Sequence, residues 1–192
     1  LAAGVLAALL LRRSAVRAWR WNLAGLALSS LYLAWSAGAK LYADHQVRQL
    51  LERDGITYQR LQTQPTPLNT LVWRALGRTP DGYFEGFYSL LRPGEVRFLE
   101  YHRDRADLLA ELDDAPAVQR LQWFTTGLYR AELRGRDLIL TDLRMGTEPD
   151  YVFAFKVAEA GNPHPRAVMP ERIPTALDLV RLRELWHRFA RL

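Results

Sequence analysis

The chain has 192 residues, with 26 Lys and Arg against 21 Asp and Glu, a formal charge of +5, and no cysteine. The lack of cysteine excludes disulfides, thiolate metal sites and a cysteine nucleophile. A basic balance invites a nucleic-acid reading, but beyond Arg20 the arginines are interleaved with acids, and no recognition helix, zinc finger or aromatic RNA-binding signature is present, so no nucleic-acid partner is expected.

Taken in chain order, Leu1 to Leu11 is apolar throughout but too short to cross a hydrocarbon core, which needs about 20 residues. It is expected to be the tail of a truncated membrane helix. Arg12, Arg13, Arg17 and Arg20 follow with no acid among them, flanked by Trp19 and Trp21, and read as a cytoplasmic arginine-rich turn over 12–20. From Trp21 to Ala39 the chain is uncharged and rich in Leu, and its small residues Gly25, Ser29, Ser36 and Gly38 suit helix packing, so a second transmembrane helix is expected there. The competing reading is a buried hairpin of a soluble protein. The expected division is therefore membrane helices over 1–43 and a soluble domain over 44–192, on the periplasmic side of a bacterial inner membrane.

Asp44 to Asp54 continues helically, with Val47, Leu50 and Leu51 on one face and Gly55 as terminator. Ile56 to Gln62, Asn69 to Gly77 and Gly82 to Leu91 are rich in β-branched and aromatic residues and read as strands, separated by Pro65, Pro67, Pro80 and Asp81. Asp104 to Leu112 and Pro116 to Thr126 read as short amphipathic helices, with Gly127 as a C-terminal cap. Three further strands are expected at Leu128 to Leu133, Asp137 to Met145 and Tyr151 to Ala158, the first two joined by a turn at Arg134-Gly135-Arg136. A proline-rich loop then leads to a last helix near Thr175, with Asp178 in a capping position. The expected fold class is α+β: a transmembrane helical start, then an antiparallel sheet with helices packed on it.

Chemistry-bearing residues are sparse. His45, His102, His164 and His187 lie far apart and in no metal-ligand spacing, so no metal is expected in this chain itself. Asp44-His45 is the best adjacent pair, although such pairs are more often exposed helix surface. Asp142 and Arg144, two apart on an expected strand, suit either an anion clamp or a structural ion pair, and the structural pair is favoured. Pro65 to Arg74 combines a rigid start, Asn69 as a turn former and Arg74 beside Trp73. Tyr83, Glu85, Phe87 and Ser89 share one strand face and Phe84, Gly86, Tyr88 and Leu90 the other, as in a sheet covered on both sides. Leu121-Gln122-Trp123-Phe124 reads as core anchoring.

Several of these segments, namely Pro65 to Arg74, Gly82 to Leu90, Leu121 to Gly127, Asp142 to Gly146 and Tyr151 to Phe155, together resemble the C-terminal region of the bacterial membrane-bound metal-dependent hydrolases. That family is also described as LexA-binding, inner-membrane-associated hydrolases. The resemblance implies a divalent metal held in an upstream membrane part by a His-Arg-x-x-Thr-His-Ser type motif, which is absent here, so no catalytic or metal residue carries over. It also implies the lipid bilayer and upstream transmembrane helices as partners. Asn69, Arg74, Glu85 and Arg144 are the candidate contacts to a lipid or protein partner or to a substrate. The alternative is a non-enzymatic envelope binding module.

Overall fold

The computed structural model describes residues 15–67, 69–161 and 164–174. Its internal contacts divide the chain into two compact units, Leu1–Tyr42 and Ala43–Leu192. One long helix, α1 (Ala15–Arg53), runs through the boundary.

In the first unit, α1 leaves Trp19, Leu23, Leu26, Leu28, Leu31, Leu33 and Trp35 exposed. Among the described residues, no helix is long and apolar enough to cross a membrane. This overturns the expected transmembrane helix over 21–39, and with it the α+β class built on a membrane-spanning start. The segment is helical, but Asn22, Ser29, Ser30, Ser36 and the amphipathic rings of Trp21, Tyr32 and Trp35 dilute the leucines. The expected turn over 12–20 is corrected as well: from Ala15 onward that stretch is helix, because Ala, Arg and Trp at 15–21 contain no breaker. The expected membrane tail over 1–11 lies outside the described residues, as does the helix expected from Thr175.

The second unit is mostly antiparallel β-sheet. It begins with the end of α1, where Ala43, Val47, Leu50 and Leu51 are buried at helical spacing. Gly55 stops the helix at φ 69°, with Ile56 N donating to Leu51 O and Gly55 N to Glu52 O, a pairing that satisfies the last carbonyls. Strands β1 (Arg60–Pro65), β2 (Val72–Thr79), β3 (Gly82–Ser89) and β4 (Arg92–Arg103) form one four-stranded sheet in sequence order. Two short helices follow, α2 (Ala106–Ala110) and α3 (Pro116–Phe124). Strands β5 (Tyr129–Arg134), β6 (Asp137–Asp142), β9 (Ala154–Glu159) and β10 (Arg166–Ile173) make a second sheet in the order β10-β9-β6-β5, and β7 (Gly146–Thr147) pairs with β8 (Asp150–Tyr151) in a small hairpin.

Two clusters hold these parts together. Leu109, Leu112 and Val118 of the α2–α3 segment pack on Ala131, Leu138, Leu140, Val157 and Ala158 of the second sheet. Each buried leucine there contributes about 1.5–3 kcal/mol. Leu76 and Tyr83 of the first sheet meet Leu128, Leu143 and Tyr151, which join the first sheet to the β5–β8 region.

Besides the short β7–β8 hairpin, two longer strands lie outside the expected set. β4 begins with Arg-Pro-Gly-Glu, residues that usually mark a turn, yet it pairs with β3 through two register shifts. β10 contains Pro170 within the stretch read as loop. Its pairing with β9 is interrupted between Ala167 and Glu171 at a sheet edge, a place where a residue lacking N–H is tolerated.

The β3–β4 pairing is close at Gly82, where an added Cβ would stand 2.0 Å from His102 O. Gly82→Ala should therefore lower stability by about 1–3 kcal/mol, the usual cost of overpacking. Urea denaturation measures it, and an unchanged midpoint would contradict this register.

Candidate functional site

The short Pro80-Asp81 turn places Thr79 opposite Gly82 and thereby fixes every pair along β2 and β3: Arg78 opposite Tyr83, Leu76 opposite Glu85 and Arg74 opposite Phe87. Side chains alternate across a strand, so Val72, Arg74, Leu76 and Arg78 share a face with Tyr83, Glu85 and Phe87. Arg74 and Glu85 are diagonal neighbours on that face, within reach of each other.

Arg74 Nη2 donates to Glu85 Oε2 at 2.7 Å, with 2% and 5% of the two side chains exposed. The same carboxylate oxygen accepts from Tyr151 Oη at 3.1 Å and from Glu148 N at 3.3 Å, while Arg74 Nη1 donates to Leu143 O at 2.8 Å. A second group sits beside it. Tyr83 Oη donates to Glu148 Oε2 at 2.7 Å, and Arg130 Nη1 donates to both oxygens of Glu148 at 3.0 and 3.1 Å. The ring of Tyr151 has the Arg74 guanidinium 5.9 Å and the Arg130 guanidinium 5.6 Å from its centre. On the same β2 face, Arg78 pairs with the buried Asp104, donates to Tyr129 O at 2.7 Å and lies 4.9 Å from the Tyr129 ring centre.

The electrostatics follow from this burial. Desolvation, reinforced by the Glu85 charge, pushes the Tyr151 phenol far above its ordinary value. Tyr83 is raised for the same first reason, then by its bond to Glu148 and by that group's charge. Both phenols stay protonated and act as donors. Glu85 and Glu148 are each matched by a guanidinium, so the network closes on itself with charges neutralised. Such a set holds elements in register.

The four residues singled out from the sequence are distributed as follows. Arg74 and Glu85 come together as the buried pair. Arg144 is placed close by along the chain, adjacent to Leu143, but its own side chain grips Asp142 through Nε at 3.0 Å and Nη2 at 2.7 Å. The bond to Asp142 holds the Arg144 guanidinium above its ordinary value. Asp142 ends β6 and Arg144 lies in the following turn, so the pair closes that turn. Asn69 stands apart, its Oδ1 accepting from Leu71 N at 2.7 Å and Val72 N at 3.3 Å to shape the β1–β2 connection. Asp44 accepts from Thr63 Oγ1, a bond that ties α1 to β1.

Tyr83 and Tyr151, Glu148, Arg130 and the Arg78–Asp104 pair escaped sequence reasoning as a group. The hairpin register alone brings Arg78 beside Tyr83, but Arg130 arrives from β5 and Glu148 and Tyr151 from the β7–β8 hairpin, far along the chain. No model of a known protein family, no curated protein and no solved structure matches the chain.

The divalent metal implied by the resemblance does not fit the residues present. Among the described residues no three His, Cys, Asp or Glu side chains come together as ligands, and the buried carboxylates are already held by arginine.

Glu85→Ala would strand the Arg74 charge in the interior. It should cost about 3–5 kcal/mol, measured by urea denaturation, whereas a loss below 1 kcal/mol would show the pair to be solvated. The tyrosines give a second test. A phenol whose folded pKa lies above the unfolded value of about 10 contributes stability fully present below that pH and lost as pH rises toward the folded value. Absorbance titration should show Tyr83 and Tyr151 ionising only as the fold is lost, and Tyr151→Phe should remove one late phenol. Ionisation of all eight tyrosines near pH 10 with circular dichroism unchanged would contradict the burial.

Proposed function

We propose that this chain is the non-catalytic C-terminal part of a metal-dependent hydrolase located at the bacterial inner membrane, with the metal-holding residues elsewhere in the polypeptide. The β-rich unit acts as a rigid body that covers or supports the reacting part. The resemblance at Pro65 to Arg74, Gly82 to Leu90 and Asp142 to Gly146 supplies the activity class. The single observation that supports the non-catalytic role is the closed Arg74–Glu85–Tyr151 and Tyr83–Glu148–Arg130 network, in which every charge has an internal partner. Arg144 belongs to this scaffold through Asp142, and Asn69 through its turn.

A second reading, a non-enzymatic module that binds a lipid or protein partner, is favoured by a separate observation. α3 turns two aromatic side chains outward, Trp123 and Phe124, which are 79% and 53% exposed.

Elemental mass spectrometry on this chain and on the longer polypeptide carrying it, paired with a hydrolysis assay, separates the two. Stoichiometric divalent metal and turnover in the longer polypeptide alone are the expected result. Metal bound by this chain alone would overturn the proposal, and metal in neither would favour the binding module.

A further inference from the structure

The sequence reading placed Trp123 and Phe124 in the core, but the structure does the reverse. Val118 and Leu121 face the second sheet, while Gln119, Arg120, Trp123 and Phe124 lie on the outer side of α3. Trp123, 79% exposed, stands beside Phe124, 53% exposed, so two aromatic side chains sit next to each other at the surface. The guanidinium of Arg144 lies 4.9 Å from the Phe124 ring centre, and its neighbour Met145 is 51% exposed.

Further positive charge surrounds this patch. Arg120 precedes Trp123 by one helical turn, and Arg60 reaches the Thr126-Gly127 bend, since a Cβ on Gly127 would stand 3.3 Å from Arg60 Nε. Both arginines are exposed and make no side-chain bond among the described residues. The carboxylate bonded within the patch, Asp142, is buried and neutralised by Arg144. The surface thus offers two outward aromatics, a methionine and the two guanidiniums of Arg60 and Arg120, while the Arg144 charge is met by Asp142.

We propose that the Trp123–Phe124–Met145 patch, with the guanidiniums of Arg60 and Arg120, is a docking surface for an anionic phospholipid membrane. Indole rings settle at the headgroup level, where one end is apolar and the other wet. Arginine forks match phosphate oxygens and are drawn to an anionic leaflet. The positive sign of the patch and its polarisable apolar centre favour this occupant over an acidic protein, which would leave Trp123 and Met145 without an apolar partner. The inference rests on the membrane location in the reading above and adds which surface of the β-rich unit meets the lipid.

The absence of cysteine makes the test clean. The full chain carrying Trp123→Cys, labelled with an environment-sensitive fluorophore, is mixed with vesicles of phosphatidylglycerol and phosphatidylcholine or of phosphatidylcholine alone. Met169→Cys, 89% exposed on β10, serves as the control position. Flotation with the anionic vesicles, a blue shift at position 123, no shift at 169 and release of position 123 by salt are expected. Arg60→Glu with Arg120→Glu should abolish the shift at 123. If the chain floats but position 123 stays unshifted, or shifts no more than 169, the patch is wrong while the membrane location stands. If the chain fails to float with either vesicle, the location fails and the patch with it.

Discussion

A guanidinium and a carboxylate removed from water together, Arg74 and Glu85, set the conditions that the rest of the β-rich unit has to meet. Two such charges are tolerated inside when they face each other and most of the remaining donors and acceptors find partners, and here Arg74 Nε is left without one. The β2–β3 register provides the first condition. The second requires Leu143 O, the Tyr151 hydroxyl and Glu148 N, all from the β6–β8 connection, to close over the first sheet. The apolar contacts of Leu76, Leu143 and Tyr151 surround the same place, so hydrophobic burial and polar pairing specify one arrangement.

From that arrangement the functional consequence follows. A carboxylate serving as general acid must hold a proton to give, one serving as general base must be free to accept one, and both need access to substrate; Glu85 and Glu148 are instead held by Arg74 and Arg130. Tyr83 and Tyr151 are held protonated by burial and by neighbouring carboxylates, which suits them to donate hydrogen bonds and unsuits them as nucleophiles. The polar interior stabilises the fold, and at the surface α3 and the turn after β6 bring the Phe124 ring and the Arg144 guanidinium together.

Much of the local structure was legible in the sequence because its signals are short-ranged. Gly55 after a run with Val47, Leu50 and Leu51 on one face marks a helix end, Pro116 marks a helix start, and Pro80-Asp81 between two aromatic runs marks a hairpin. Arg74 and Glu85 were singled out as candidate contacts to a partner or substrate, and the structure brings them together as a buried ion pair, while the alternation of side chains already placed Glu85 with Tyr83. Their partners were not legible, since Tyr151 and Glu148 meet Glu85 only through tertiary packing across more than sixty residues. β4 and β10 were hidden by Pro93, Gly94 and Pro170, which sit where pairing shifts or ends. The outward turn of Trp123 was missed because the narrow apolar side of α3 is already satisfied by Val118 and Leu121. The expected membrane span at 21–39 rested on an absence of charge, which is a weaker signal than apolarity itself.

The central claim is that the Arg74–Glu85 pair serves the fold and not the chemistry, and a double-mutant cycle with apolar replacements tests it most directly. Arg74→Met and Glu85→Leu are measured singly and together by urea denaturation, with vesicle binding recorded alongside. The account predicts that the double variant recovers most of the stability lost by either single change, because no buried charge is left alone, and that binding is unaffected. A double variant as unstable as the sum of the two single changes, or one that folds normally yet loses binding, would contradict it.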